Sequence, residues 1–365
     1  MRIVIAGGGT GGHLFPGIAI AEEFIKREKQ TEVLFVGTKR GIESKLLGGA
    51  GYELRTIDIE GIKGRGMKAL VKGIYSIPQS MWQSRLILKE YRPQIVIGVG
   101  GYASGPAVLA AHFMGIPTAI SEQNSEPGIT NRILGKFVDK IFVTYEQTAE
   151  LFSRSKVLLS GNPVRAAFAG VRSRQKLEKD FRQLLIFGGS QGAKAINKSV
   201  VEMLPQLQRM KNKVRILHQT GAMEVESIRE AYGRYGIKAN VTEFIVDMAE
   251  AYRQADLIIC RAGATSLAEI TAAGKVPILI PFPWATNDHQ TKNAEALADK
   301  DAAIMIKEKD LSGNKLFEVV DGLLSNQKKL QLMEENSAKI GNINAAANIV
   351  DACLKLMVLK NKDSI

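Results

Sequence analysis

Cysteine, histidine, tryptophan and acidic residues are scarce in this 365-residue chain, and each scarcity narrows what it can be. Two cysteines, Cys260 and Cys353, cannot build a disulfide framework, and their apolar settings read as buried thiols of a reducing cytoplasm. Four histidines, His13, His112, His218 and His289, lie far apart without cysteine or carboxylate at ligand spacing, so no structural metal site is expected. Apolar runs such as residues 107–111 and 276–280 are cut short by Gly, Pro or His, well below the roughly 18 residues of a membrane-spanning helix. Glycines follow the first six residues at once, which leaves no room for the apolar core of a signal peptide. Eleven prolines against 35 glycines exclude a Pro-rich linker protein and point to tight backbone turns. Acidic residues number 37 against 49 Lys and Arg, a formal net charge of +12, which calls for an anionic partner: nucleic acid, a phosphorylated metabolite or an acidic membrane surface. A composition 45% hydrophobic and 24% charged excludes disorder, and the length suits two or three domains.

What is present is a pattern that runs twice. Short β-branched runs at residues 2–6, 32–36, 94–99, 118–120 and 140–143 alternate with helical spacing at about 12–27, 43–48, 68–91 and 105–114. Such alternation predicts a parallel sheet covered by helices on both faces. After Asn162-Pro163 and a charged stretch, the pattern restarts with strands at 183–187, 214–218, 241–244, 257–260 and 276–280. The segments RIVIAGGGTGG and QLLIFGGSQGA begin about 181 positions apart, close to half the length. The expected architecture is therefore α/β: two facing Rossmann-like domains with parallel sheets and an interdomain cleft, residues 1–163 and 164–343. A last helical stretch, within 344–365, is a candidate to pack back on the first domain.

Gly7-Gly8-Gly9-Thr10-Gly11-Gly12 satisfies G-x-G-x-x-G between a strand and a helix, where free N–H groups and the helix dipole favour an anion. A dehydrogenase is disfavoured, because Gly37-Thr38-Lys39 stands where an acidic residue would hold the ribose of NAD. A second loop, Gly188-Gly189-Ser190-Gln191-Gly192-Ala193-Lys194, repeats the geometry without matching the P-loop of nucleotide hydrolases. A third, residues 98–105, also follows a strand, and loops at such strand ends around one cleft suit a phosphate-bearing substrate. In the fourth, residues 260–270, a Gly turn leads into small residues able to approach a diphosphate, and Glu269 follows about one and a half helical turns in, placed for two ribose hydroxyls. The alternative is a capped amphipathic helix with Glu269 solvated.

Read together and in order, residues 8–17 (GGTGGHLFPG), Gly100-Gly101-Tyr102, Glu122-Gln123-Asn124, Gly161-Asn162-Pro163-Val164-Arg165, residues 188–193 and residues 261–269 resemble the bacterial N-acetylglucosaminyltransferases that convert lipid I into lipid II in peptidoglycan synthesis. The resemblance spans roughly residues 1–300. It implies the GT-B fold, UDP-N-acetylglucosamine as donor held mainly by the second domain, and lipid I (undecaprenyl-pyrophosphoryl-N-acetylmuramyl-pentapeptide) as acceptor. It implies that Thr10, Gly11 and Gly12 face sugar and diphosphate, that Asn124, Arg165 and Ser190 contact the donor, and that Ile245 meets uracil through its backbone. Ala264, Thr265, Ser266, Leu267, Ala268 and Glu269 would take phosphate and ribose, and Gln290 the sugar hydroxyls.

An α-linked donor and a β-linked product imply one inverting displacement, with a base for the acceptor hydroxyl. His13 is the first candidate, since imidazole exchanges protons near neutral pH; Glu122 is the second, as the base or as the group orienting His13. The alternative for His13 is a helix-start residue that only binds phosphate. Helix N-termini and backbone N–H groups would stabilise leaving UDP without a required metal, leaving room for stimulation by Mg²⁺. Asp299-Lys300-Asp301 spells D-x-D but reads as solvated surface.

Between residues 61 and 92, Lys63, Arg65, Lys68, Lys72, Arg85, Lys89 and Arg92 face Glu90 alone, with Ile74, Tyr75, Met81, Trp82 and Leu86 interleaved and Pro78 expected to kink or break the helix. A basic rim around an aromatic surface suits peripheral docking on anionic lipid at the cytoplasmic face of the cell membrane, with Lys68, Lys72, Ile74, Tyr75, Trp82 and Arg85 in contact. The other reading packs the apolar residues on the sheet and leaves the charges solvated. Other cell-wall synthesis proteins are possible partners. The rival enzyme is a UDP-N-acetylglucosamine 2-epimerase on the same kind of fold. A nucleic-acid-binding protein is disfavoured, because no recognition motif accompanies the charge.

Overall fold

The apolar runs read from the sequence become the strands of two parallel sheets. A computed structural model describes all residues except 10, 39–46, 50, 60–65, 169–170, 172–179, 190 and 363–365, and for 66–76 and 361–362 it describes the backbone alone. The chain divides into two units, Met1–Ala166 with Ile343–Ile365, and Ala167–Asn342.

The first unit holds β1 (Arg2–Ala6), β2 (Glu32–Thr38), β3 (Glu53–Ile57), β4 (Ile95–Gly98), β5 (Thr118–Glu122), β6 (Lys140–Val143) and β7 (Val157–Leu159), in the order β3-β2-β1-β4-β5-β6-β7. The second holds β8 (Arg182–Phe187), β9 (Val214–Gln219), β10 (Ala239–Thr242), β11 (Leu257–Cys260), β12 (Pro277–Leu279) and β13 (Ile304–Met305), in the order β10-β9-β8-β11-β12-β13. Each order reverses once, between β1 and β4 and between β8 and β11, which is where open α/β sheets place their ligands. Both faces of the first sheet are covered. Ile3 and Ile5 of β1 meet Leu14, Ile18 and Phe24 of the Gly11–Arg27 helix, while Val4 and Ala6 face Leu88, Ala107 and Val108. Burial on two faces is why these strands read as continuous apolar runs.

Sequence periodicity misses β3, β7 and β13, which all lie at or beside a sheet edge. Their residues are largely half-buried or exposed, as in Glu53–Ile57, so the apolar signal is diluted there. The Gly66–Tyr91 helix is continuous through Pro78, against the expected break. Proline removes one backbone hydrogen bond, and burial of Ser80, Ser84 and Leu88 along one face holds the turns that follow. Of the helical segment expected at 43–48, residues 43–46 lie outside the described set.

The stretch Gln327–Lys360 reaches the length and hydropathy of a membrane span. It is nevertheless two helices, Gln327–Ile340 and Ala345–Lys362, and the second packs against the Gly11–Arg27 helix, burying Ile349, Val350, Cys353, Leu356 and Met357 in the first unit's core. Arg27 to Asp351 at 3.1 Å and Lys360 to Asp139 at 3.0 Å fasten it at both ends.

Candidate functional site

At the reversal of the first sheet, the loops after β1 and β4 touch backbone to backbone. Gly8 N–H donates to the Gly100 carbonyl at 3.2 Å, and Gly101 has φ +82 and lies so close to Gly8 that a Cβ would overlap the Gly8 carbonyl oxygen. Only glycine fits such an approach. The Gly11–Arg27 helix starts here, and the His13 ring lies against Gly100.

His13 is oriented by Gln123, not by Glu122. Its Nδ1 stands 3.4 Å from Gln123 Oε1, a long bond, while Gln123 Nε2 donates to the carbonyls of Val99 and Ser121 at 3.3 and 3.1 Å. With its amide nitrogen committed to carbonyls, Gln123 presents oxygen to the ring; this network assigns the proton to Nδ1 and leaves Nε2 as the basic nitrogen. Glu122, 2% exposed, spends both carboxylate oxygens on the following loop: Oε1 accepts from Asn124 N–H and Nδ2 at 3.0 and 3.2 Å, and Oε2 from Gly128 N–H and Asn131 Nδ2 at 3.1 and 2.8 Å. This geometry corrects the expectation that Glu122 orients His13, and four donors on one carboxylate describe a loop anchor rather than a base. Asn124 is therefore held directly after the His13–Gln123 pair. Arg165 stacks on the Phe15 ring at 4.2 Å, two positions beyond His13 on the same helix. Thr10 lies outside the described residues, and Gly11 and Gly12 form the first turn.

In the second unit the loops after β8 and β11 flank the other reversal. Gly192, with φ +77, abuts the Thr220 carbonyl and donates its N–H to the Gly189 carbonyl at 2.9 Å, ahead of the Lys194–Leu207 helix. Ser190 is outside the described set. After β11, Gly263 stands at the N-cap of the Ala264–Ala272 helix in extended conformation and supplies no side-chain cap, and the positive end of the helix dipole falls at this turn, where an anion is favoured. Leu267 is buried and Ala268 half-buried behind it. Glu269 is 5% exposed and accepts from Tyr252 Oη at 3.5 Å, so the solvated alternative fails. Asn293 Nδ2 reaches the Ala262 carbonyl at 3.4 Å, bringing the His289–Ala298 helix beside this turn. On that helix Gln290 accepts the Phe282 N–H at 3.0 Å, which leaves its Nε2 as donor. Asn287 and Asp288, both left-handed, precede it. Ile245 is buried between exposed Phe244 and Val246. Asp299 closes the same helix and, with Lys300 and Asp301, is exposed.

Sequence reading did not single out Gln123 for its link to His13, nor His218, whose Nδ1 accepts from Tyr232 Oη at 3.0 Å and whose Nε2 donates to Asn197 Oδ1 at 3.1 Å. Asn197 in turn donates to the Thr220 carbonyl and to Glu224, fixing the loop beneath Gly192. Burial pushes the His218 imidazole down to about 3. The signal available was a histidine inside an apolar strand. No group of three or more metal-ligating side chains occurs among the described residues.

On the Gly66–Tyr91 helix, Trp82 and Leu86 are 62% and 45% exposed and Arg85 is exposed, while Ser80, Ser84 and Leu88 are buried. Ser80, Ser84 and Leu88 thus pack inward on one face of this segment, while Trp82, Arg85 and Leu86 lie exposed on the other. The side chains of Lys68, Lys72, Ile74 and Tyr75 lie outside the described residues.

Two Rossmann-type units, each with a glycine-rich turn at its strand reversal, are the two halves of a GT-B-type fold. The family models described as Glycosyltransferase family 28 N-terminal domain and C-terminal domain match residues 3–143 and 183–352, and the chain belongs to this family. It is 54% identical over 359 residues, 98% of this chain and 99% of the other, to the Syntrophus aciditrophicus (strain SB) protein named UDP-N-acetylglucosamine--N-acetylmuramyl-(pentapeptide) pyrophosphoryl-undecaprenol N-acetylglucosamine transferase. The crystal structure of Acinetobacter baumannii MurG is similar at TM-score 0.77 and 31% identity, covering 97% of this chain and 99% of that one. A UDP-GlcNAc 2-epimerase from Neisseria meningitidis shares the fold at TM-score 0.69 and 14% identity, covering 97% and 100%.

Proposed function

We propose that the chain transfers N-acetylglucosamine from UDP-N-acetylglucosamine to lipid I, forming lipid II with inversion at the anomeric carbon. The observation that carries this reading is the near full-length identity to a transferase so named, against a likeness to the epimerases that is one of fold alone.

The residues divide the work. In the second unit the turn at residues 188–193 and the start of the Ala264–Ala272 helix take the diphosphate, Glu269 the ribose hydroxyls, Ile245 the uracil through its backbone, and Gln290 the sugar hydroxyls. In the first unit His13 Nε2 removes the proton from the acceptor hydroxyl as its oxygen bonds to the anomeric carbon. The bond from that carbon to the diphosphate breaks, and the charge passes to UDP. Helix N-terminal N–H groups and the dipole stabilise that charge, so no metal is required. Asn124 and Arg165 complete the donor contacts. The exposed Trp82, Arg85 and Leu86, with the basic residues before them, hold the enzyme peripherally at the anionic cytoplasmic face where lipid I resides.

The test is transfer of labelled N-acetylglucosamine from UDP to a lipid I analogue, with free N-acetylmannosamine monitored in parallel. A lipid-linked disaccharide is expected, with transfer persisting in EDTA; free N-acetylmannosamine alone would establish the epimerase instead.

A further inference from the structure

Three neighbouring strands of the second sheet end in register. Phe187 of β8 lies beside Gln219 of β9, and Gln219 beside Thr242 of β10. One step further, the outer two strands enter the loops assigned above to the diphosphate and to the base. The middle strand does not continue between them. Its last rung is the Thr220 N–H bond to the Thr242 carbonyl at 3.0 Å, after which the chain turns at Gly221, with φ +80, against the backbone of Gln191 and Gly192.

The Gln219 side chain occupies the gap. A primary amide offers one acceptor and a donor, like the peptide group it replaces. Oε1 accepts from Gly188 N–H at 3.3 Å, and Nε2 donates to the Glu243 carbonyl at 2.9 Å. Gly188 opens the diphosphate loop, and Glu243 stands two residues before Ile245. Gln219 is 3% exposed, so water does not substitute for either bond.

We infer that Gln219 is a positioning residue that couples the two halves of the nucleotide site, setting the base loop relative to the diphosphate loop and thereby the discrimination between uracil and cytosine. The inference rests on the donor-site reading above. Gln219→Glu keeps an acceptor for Gly188 but sets a carboxylate oxygen against the Glu243 carbonyl; Gln219→Met keeps the length and removes both bonds.

Calorimetric titration with UDP and with CDP tests it. Both variants are expected to bind UDP about tenfold more weakly, the size of one lost buried hydrogen bond, with the UDP-to-CDP affinity ratio falling toward one. Turnover at saturating donor is expected to stay within about twofold, so the loss falls on KM rather than kcat. A lowered melting temperature with an unchanged UDP-to-CDP ratio would mean that Gln219 only supports the fold and would overturn the coupling. Should the wild-type protein itself not prefer UDP over CDP, the donor-site reading fails, separately from the role of Gln219. In the wild-type protein the Gly188 amide is expected to be protected from hydrogen exchange; fast exchange there overturns the inference whatever the variants do.

Discussion

The roles proposed for His13 and Glu269 are ones that kinetics separates. His13→Ala should lower kcat by roughly a hundredfold or more while leaving the KM for UDP-N-acetylglucosamine nearly unchanged, the signature of a lost general base. Glu269→Ala should instead raise that KM, by an amount corresponding to about 1.5–3 kcal/mol for a charged hydrogen-bond acceptor. Near-normal turnover in His13→Ala would remove the base assignment. His218 makes a prediction about stability. In the unfolded chain an imidazole takes up a proton below about pH 6.5. The folded His218 resists until about 3, because burial between Tyr232 and Asn197 penalises the cation. The unfolded state therefore binds more protons as pH falls through that window, and stability declines by up to about 1.4 kcal/mol per pH unit. No such loss is expected above pH 7. Thermal melts from pH 7 to 5 should show a shallower decline in His218→Asn, even though its midpoint at pH 7 is lower; parallel slopes would contradict this.

Helices and loops show what pattern reading can reach. The segment around Trp82 was legible as both basic and apolar, and its two faces separate only because a helix turns every 3.6 residues, sending Ser80, Ser84 and Leu88 inward and Trp82, Arg85 and Leu86 outward. Trp82→Ala and Lys72→Glu should each weaken binding to anionic vesicles, and salt should weaken it in the wild type, with UDP affinity retained throughout. Co-sedimentation measures this, and unchanged binding in both variants would dismiss the patch. The edge strands β3, β7 and β13 were not legible, since periodicity reports burial and edges have less of it. Glu122 was read as a carboxylate able to serve as the base or to orient His13. On the Glu122-Gln123-Asn124 stretch it is Gln123 that meets the imidazole, a difference of one residue that strand geometry decides, because successive side chains leave a strand on opposite faces.

At the scale of the whole chain, the family's C-terminal domain model extends to residue 352, yet the Ala345–Lys362 helix belongs to the first unit, with Ile349 fully buried there. Ile349→Ala should therefore cost about 2–5 kcal/mol of stability. If its effect is read in isolated pieces, a fragment covering residues 1–166 alone should be less stable than the full chain. Equal thermal stability of wild type and Ile349→Ala would refute this packing. By itself the sequence determined the repeat, the parallel α/β character, the glycine turns at the strand ends and the family, because these depend on local periodicity, on residues that only glycine can replace and on motifs kept in order. Tertiary structure alone decided which side chain orients His13, that Glu269 is buried rather than solvated, that Gln219 bridges two loops 55 positions apart, from Gly188 to Glu243, and that the last helix returns to the first unit. Those outcomes depend on contacts between segments distant in the chain, where strand order and register, not neighbouring residues, set who meets whom.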